Sequence, residues 1–132
     1  MVIQKESCDL NGVINESGDH SIQKRIQQIK DCSFFIGLGS GLSWLAWALS
    51  KPVVLISGFS LPYTEFSQDC ERVINTSVCH GCWNDDRYTF ERGNWNWCPV
   101  HKGTQRQFEC SHSIAPEQVI ESIDNLCWNL EE

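Results

Sequence analysis

Four cysteines in the second half of the chain have the residue type and the spacing of metal ligands. Cys79 and Cys82 form a tight C-x2-C pair, and Cys98 and Cys110 follow at intervals of 16 and 12 positions. Thiolate sulfurs placed tetrahedrally around one ion favour zinc or iron. The spacing therefore predicts one structural metal ion held by Cys79, Cys82, Cys98 and Cys110.

The fourth ligand of this metal site stays open on spacing alone. His101 lies three positions after Cys98, in a C-x2-H arrangement. An imidazole nitrogen is a common partner of thiolates around zinc. His101 is therefore an alternative to Cys110 as the fourth ligand.

The same cysteines allow two other interpretations, a redox pair and a disulfide framework. A thioredoxin-like C-x2-C pair opens a helix, but residues 83–86 do not continue as an amphipathic helix. The eight cysteines could form four disulfides, yet the polar start of the chain does not resemble an export signal. In a reducing compartment, closely spaced cysteines are more often metal ligands, so we favour that interpretation.

A glycine-rich loop in the first half is the second candidate site. Residues 37–43 read GLGSGLS and lie between a strand-like and a helix-like pattern. Glycines let backbone N–H groups approach an anion at a helix N-terminus, so the loop could hold a phosphate. It has neither the lysine of a Walker loop nor the Rossmann glycine spacing. An ordinary glycine turn with Ser40 as the helix cap is the alternative.

The segments on both sides of this loop predict a parallel βαβ unit. The apolar runs Phe34–Ile36 and Pro52–Ile56 are typical of buried strands. Between them, apolar residues recur at helical spacing over residues 42–49. Parallel strands joined by a helix are the basic unit of α/β folds.

Two amphipathic helices are predicted outside the βαβ unit. The first covers residues 21–30 and is expected to pack through Ile22, Ile26 and Ile29. The second covers Pro116–Leu130, with Pro116 at its first turn. Its expected packing stripe consists of Val119, Ile120, Ile123 and Leu126.

We predict three parts along the chain. Residues 1–77 form a partial Rossmann-like α/β region, residues 78–110 form a four-cysteine metal finger, and residues 111–132 form a helix that packs back on the α/β region. The joint lies near residues 66–78. Because the finger segment has neither a helical nor a strand period, a metal must hold it together.

Composition restricts the classes of function. A length of 132 residues allows one globular domain and little more. With 17 acidic against 10 basic residues, the net charge of −7 disfavours a nucleic-acid groove. The longest apolar stretch, residues 42–49, is too short to cross a bilayer. We expect a cytoplasmic protein with no nucleic-acid partner and no membrane span.

Two groups of segments together resemble the C-terminal end of the bacterial autotransporter heptosyltransferases. The first group is FFIGLGSGLSWLAWAL at residues 34–49 and KPVVLISGF at residues 51–59. The second is VCHGCW at residues 78–83, WNWCP at residues 95–99 and RQFEC at residues 106–110. Their common order and spacing make the likeness specific, and it covers nearly the whole chain.

This resemblance implies the C-terminal part of a GT-B glycosyltransferase, an enzyme of two Rossmann-like domains. Family members transfer heptose from ADP-heptose to serines of autotransporter adhesins and form large cytoplasmic homo-oligomers. The matching donor-phosphate turn is Gly39, Ser40, Gly41 and Leu42. The matching four-cysteine finger, Cys79, Cys82, Cys98 and Cys110, holds iron in the family, with zinc as the alternative by general preference.

The chain departs from the family in one important respect. The acceptor domain with the catalytic aspartate, and the first part of the donor domain, have no counterpart in this sequence. We therefore expect no catalytic residue and no transfer of heptose by the chain alone. A stand-alone metal finger that binds other proteins is the alternative function.

Overall fold

Helices of different lengths surround a small sheet. The computed structural model describes residue 1, residues 10–94 and residues 96–128. Within these residues the α-helices are α1 (Ile22–Lys30), α2 (Gly41–Ala48), α3 (Glu109–His112) and α4 (Pro116–Trp128). Two short 3-10 helices cover Pro62–Thr64 and Cys82–Asn84. The last residues of the predicted C-terminal helix, 129 and 130, lie outside the described part.

The sheet has three parallel strands in the order β1 (Phe35–Leu38), β2 (Val53–Ile56) and β3 (Cys70–Val73). Helix α2 connects β1 to β2, so the predicted βαβ unit is confirmed. Strand β3 was not predicted, because its sequence CERV contains two charged residues and no apolar run. Part of the segment 66–78, where we predicted the joint between the two regions, therefore belongs to the sheet.

The central strand is buried on both faces, as a parallel sheet between helices requires. On one face, Val53 and Leu55 belong to a core cluster with Ile29 of α1 and Ala46 of α2. On the other face, Val54 packs with Val73 of β3 and Leu126 of α4. Apolar burial on both faces fixes the helices on the sheet.

The predicted apolar stripes are only partly buried. Ile29 is fully buried, but Ile22 is 56% exposed and Ile120 of α4 is 57% exposed. Buried Arg25 lies on the packed side of α1, where its guanidinium donates to the backbone oxygen of Glu16 at 2.8 Å. Residues 16–18 therefore pack against a polar part of α1, and a pattern of apolar residues alone does not predict this contact.

Strand β1 was expected to be buried, and half of it is not. Ile36 and Leu38 are 42% and 62% exposed. Helix α4 packs on β2 and β3 and leaves this row of β1 uncovered. Strand β1 is one of the two edge strands of the sheet, and its Ile36 and Leu38 side chains are not covered by a described helix.

The irregular segment 78–110 is attached directly to the loop that follows β2. The N–H of Gly81 donates to the oxygen of Gly58 at 2.9 Å, and the N–H of Trp83 donates to the oxygen of Phe59 at 2.8 Å. A Cβ added to Gly58 would lie 2.5 Å from the backbone oxygen of Cys110. Only glycine permits so close an approach of two backbones.

Among the described residues, none of the helices has both the length and the apolar character that crossing a bilayer requires.

The close contact at Gly58 leads to a stability prediction. We expect Gly58→Ala to lower the free energy of unfolding by about 1–3 kcal/mol, because the new methyl group must displace backbone. Gly41→Ala is the matched control, since a Cβ there has no neighbour within 4 Å. Urea unfolding followed by tryptophan fluorescence measures both variants. Wild-type stability in Gly58→Ala would contradict the contact.

Candidate functional site

The glycine-rich loop forms the turn from β1 to α2, at the carboxyl end of the parallel sheet. Gly39 and Ser40 join β1 to Gly41, the first residue of α2. Ser40 and Gly41 are exposed, whereas Leu42 packs against the core. The first N–H groups of a helix lack intrahelical acceptors and lie at its positive end. The turn therefore presents backbone donors to an anion, and Leu42 can contribute only its backbone.

Ser40 stands at the N-cap position of α2 but does not cap it. Its hydroxyl makes no capping hydrogen bond, whereas the alternative interpretation, an ordinary glycine turn, has Ser40 as the helix cap. The buried hydroxyl of Ser43 closes the turn instead, because it donates to the backbone oxygen of Leu38. The Ser40 hydroxyl therefore lies at the exposed helix end without a capping role.

A buried ion pair that the sequence did not indicate lies against this turn. Glu65 and Arg72 are joined at 2.5 Å, and their side chains are only 8% and 12% exposed. A Cβ on Gly39 would overlap the Glu65 carboxylate and lie 3.6 Å from Ser60 Oγ. Gly39 is thus required for packing as well as for the turn. No spacing pattern marks this pair in the sequence.

The loop after β2 touches both candidate sites. The Ser57 hydroxyl donates to the backbone oxygen of Ser60 at 3.1 Å, and both serines are buried. Ser60 lies beside the glycine turn, while Gly58 lies against Cys110. The glycine turn and the cysteine segment are therefore neighbours at one edge of the sheet.

The four predicted cysteine ligands influence one another electrostatically, but among the described residues they are not the group of potential ligands that lies within 4.8 Å. All four are free thiols, with Cys98 buried and the others half-buried. Burial, together with the neighbouring Cys79, Cys98 and Cys110, raises the pKa of Cys82 to about 12. Burial also raises the pKa of Cys110, with Cys98 and Cys79 adding to the effect. Such a set of thiols ionises at neutral pH only when a cation compensates the charge.

These thiols do not have the properties of a redox pair. The chain continues after Cys79 with a single 3-10 turn, Cys82–Asn84, and not with an α-helix. The donor set and its burial fit a structural metal better than disulfide exchange.

Glu109, which the sequence interpretation did not single out, joins the two ends of the cysteine segment. Its Oε1 accepts the backbone N–H of Cys79 at 3.0 Å. Arg106 donates to both carboxylate oxygens, at 2.6 and 2.9 Å. This guanidinium lowers the pKa of the Glu109 carboxyl against the opposing effect of burial. The spacing of Arg106 and Glu109, three positions apart on one turn, was a signal for this pair.

His101 lies beside the same carboxylate. Its Nε2 is 3.5 Å from Oε1 of Glu109. Among the described residues, potential ligand atoms of Cys79, His101 and Glu109 all lie within 4.8 Å of one another. This group is a possible mixed sulfur, nitrogen and oxygen site. Because Arg106 already occupies both Glu109 oxygens, that carboxylate is poorly available to an ion.

Aromatic side chains cover the outer side of the cysteine segment. Trp83 contacts Phe90 edge to face, with 4.7 Å between ring centroids, and Phe90 contacts Trp97 at 5.1 Å. Phe59, from the loop after β2, lies 5.5 Å from Trp83. Trp83, Phe90 and Trp97 therefore form one continuous series of edge-to-face contacts.

Comparison with known proteins identifies close relatives of the chain. No protein-family model matches it. The autotransporter heptosyltransferase Aah of Escherichia coli is 50% identical over 115 residues, which cover 87% of this chain and 29% of Aah. The autotransporter heptosyltransferase TibC of E. coli is 49% identical over 121 residues, covering 92% of this chain and 30% of TibC. An inactive autotransporter heptosyltransferase of Burkholderia thailandensis, BimC, is 43% identical over 103 residues, covering 78% of this chain and 24% of BimC.

The structure agrees with these sequence relationships. The chain superposes on a crystal structure of dodecameric, iron-containing TibC in complex with ADP-D-beta-D-heptose, with a TM-score of 0.84 and 43% identity. The match covers 98% of this chain and 36% of the TibC chain. This chain thus spans about a third or less of the relatives that it matches. On this sequence and structural similarity, the chain is homologous to a C-terminal portion of the autotransporter heptosyltransferases.

Proposed function

We propose that this chain is the donor-binding end of a GT-B protein heptosyltransferase. In this proposal, Gly39, Ser40, Gly41 and Leu42 bind the diphosphate of ADP-heptose, and Cys79, Cys82, Cys98 and Cys110 hold one iron ion. The observation that carries the proposal is the superposition of nearly the whole chain on TibC, whose crystal contains ADP-heptose. The acceptor would be a serine of an autotransporter adhesin.

The position of the glycine turn supports donor binding. Ligands of open α/β sheets bind at the carboxyl ends of the strands, next to helix N-termini. The turn occupies such a place between β1 and α2, and its Ser40 and Gly41 are exposed. The Ser40 hydroxyl, which makes no cap, is a further donor for a phosphate oxygen.

The chemistry of the cysteine segment supports a structural metal. Four neighbouring thiols, of which Cys82 and Cys110 have a raised pKa, form a donor set whose negative charge a tetrahedral ion would neutralise. TibC is an iron-containing protein, which favours iron over zinc. Four protein ligands leave no open position, so the ion would hold the fold and take no part in catalysis.

The similarity to TibC supports a proposal about the oligomeric state, and the state of the cysteines supports one about the cellular compartment. TibC is a dodecamer, and we propose that a protein containing this chain also forms homo-oligomers. The six cysteines whose side chains the structure describes are free thiols, a state that fits the reducing cytoplasm. The exposed Ile36 and Leu38 on edge strand β1 support a sheet that is completed by another segment.

A stand-alone metal finger that binds other proteins is the second candidate. The exposed Trp83, at 47%, and Phe90, at 38%, favour it, because exposed aromatics are frequent at interfaces. The hydrogen bonds from Gly81 and Trp83 to the loop after β2 argue against a finger that is independent of the α/β part.

The donor turn can be tested in a chimera in which this chain replaces the matching segment of TibC. Gly41→Val should raise the dissociation constant for ADP-heptose about tenfold, or about 1.4 kcal/mol, because the side chain would occupy space open to the phosphate. Ser33→Val, exposed before the amino end of β1, is the control. Calorimetry that shows equal affinity for both variants would refute the assignment.

The chain by itself should not transfer heptose, since the general base that activates the acceptor hydroxyl lies outside the family segment represented here. Purified chain, ADP-heptose and an adhesin passenger domain are incubated together, and intact mass reports each added heptose. The TibC chimera described above is the positive control. Transfer by the chain alone at a rate near that of the chimera would show that this prediction is wrong.

The metal site predicts a pattern of cysteine variants. Protein purified without chelator should contain close to one metal ion per chain, and Cys79→Ser or Cys110→Ser should lose it. Cys32→Ser is the matched control, because this half-buried thiol donates to Gln28 of α1. Elemental analysis measures each variant.

The same measurement decides between Cys110 and His101. Retention of the metal in His101→Ala supports four sulfur ligands. If His101→Ala lost the metal and Cys110→Ser kept it, the fourth ligand would be His101. A folded wild-type protein that contains no metal would contradict the proposed metal finger.

A further inference from the structure

Glu109 is placed to connect the beginning and the end of the cysteine segment. It directly precedes Cys110, and it accepts the backbone N–H of Cys79, 30 positions earlier in the chain. Only 17% of its side chain is exposed. One carboxylate therefore controls the orientation of one proposed ligand and is covalently next to another.

The local backbone holds Glu109 in a defined place. Phe108, the residue before it, has a left-handed conformation with a φ of 60°, which is uncommon for a residue other than glycine. The N–H groups of Ser111 and His112 both donate to the oxygen of Phe108, at 2.9 and 3.0 Å. Strain of this kind persists where the surrounding contacts fix it.

The electrostatic environment lets a carboxylate lie beside a set of anionic sulfurs. Unpaired, the Glu109 charge would repel the thiolate of Cys79. Arg106 binds both carboxylate oxygens and supplies the compensating positive charge. With Arg106 on one side and the Cys79 N–H on the other, Glu109 has little capacity left to coordinate an ion.

We propose that Glu109 is a positioning residue of the metal centre, which orients Cys79 through its backbone N–H and stays outside the ligand shell. Arg106 keeps the carboxylate in place, and His101 lies at the same carboxylate as a neighbour, not as a ligand. This inference rests on the four-cysteine metal centre proposed above. Groups that orient metal ligands without touching the ion commonly change metal affinity by 10- to 100-fold.

Cobalt substitution of the full chain tests the proposal, because the visible absorption of Co(II) reports its ligand set. Glu109→Ala should keep the four-thiolate spectrum but release Co(II) to excess chelator about 10- to 100-fold faster. Glu109→Gln keeps an oxygen that accepts the Cys79 N–H, so it should release Co(II) more slowly than Glu109→Ala. If Glu109→Ala does not fold, Glu109→Gln and Arg106→Ala provide the comparison, each with faster release than wild type.

Two controls separate positioning from a general loss of stability. Glu117→Gln removes an exposed carboxylate in the first turn of α4 and should release Co(II) like wild type. Val54→Ala destabilises the buried core of β2 without touching residues 78–110, so its release should also stay near wild type. Release from the Glu109 variants no faster than from Glu117→Gln would overturn the proposal.

Cys82→Ser separates failure of this inference from failure of the proposed metal centre. Loss of Co(II) in Cys82→Ser, with an unchanged spectrum but faster release in Glu109→Gln, supports both. If Cys82→Ser loses Co(II) and the Glu109 variants keep both the spectrum and the release rate of wild type, only the positioning role fails. If the Glu109→Gln spectrum changes, Glu109 is a ligand, and the four-sulfur ligand set fails together with the positioning role. If Cys82→Ser keeps Co(II) and Glu109→Ala loses it, the ion binds Cys79, His101 and Glu109, and both proposals fail.

Discussion

The close approach of two backbones, at Gly58 and Cys110, is the constraint on which the arrangement of this chain depends. A Cβ at position 58 would lie 2.5 Å from the Cys110 oxygen and 2.8 Å from the Cys110 Cβ. Gly58 follows the central strand β2, which is buried on both faces. The loop that follows the buried central strand therefore determines where the last proposed metal ligand, Cys110, lies. The same loop reaches the glycine turn through Ser60.

Charge, more than apolar packing, distinguishes this edge of the sheet. The glycine turn lies against the buried pair of Glu65 and Arg72, and the cysteine segment is closed by Arg106 and Glu109. In both places an arginine compensates the charge of a carboxylate. Glu65 lies against Gly39, and Glu109 accepts the backbone N–H of Cys79. The loss of one partner from a buried pair commonly costs about 3–5 kcal/mol. The Glu65 carboxylate of this pair lies where a side chain on Gly39 would have to be, so the pair and the glycine turn depend on each other's packing.

The sequence was sufficient to predict what depends on local pattern. The two strands and the helix around the glycine loop were predicted from apolar runs and helical spacing. The four-cysteine site, predicted from one C-x2-C pair and two later cysteines, stays a prediction. Strand β3 was missed because Glu71 and Arg72 interrupt any apolar run, and the compensation of Arg72 by Glu65 is a tertiary contact. The exposure of Ile22 and Ile120 was missed because a helical stripe does not show how much of it the neighbouring elements cover. Glu109 could have been noticed from its spacing to Arg106, but its bond to Cys79 spans 30 positions.

The central claim, that one iron ion with four sulfur ligands holds residues 78–110 together, is tested most directly by X-ray absorption at the metal edge of the purified chain. This measurement identifies the element and the atoms bound to it without any substitution. The predicted result is an iron edge with four sulfur neighbours at about 2.3 Å, the usual length of a metal–thiolate bond. A shell that contains nitrogen or oxygen from His101 or Glu109, or protein that binds no metal, would contradict the claim.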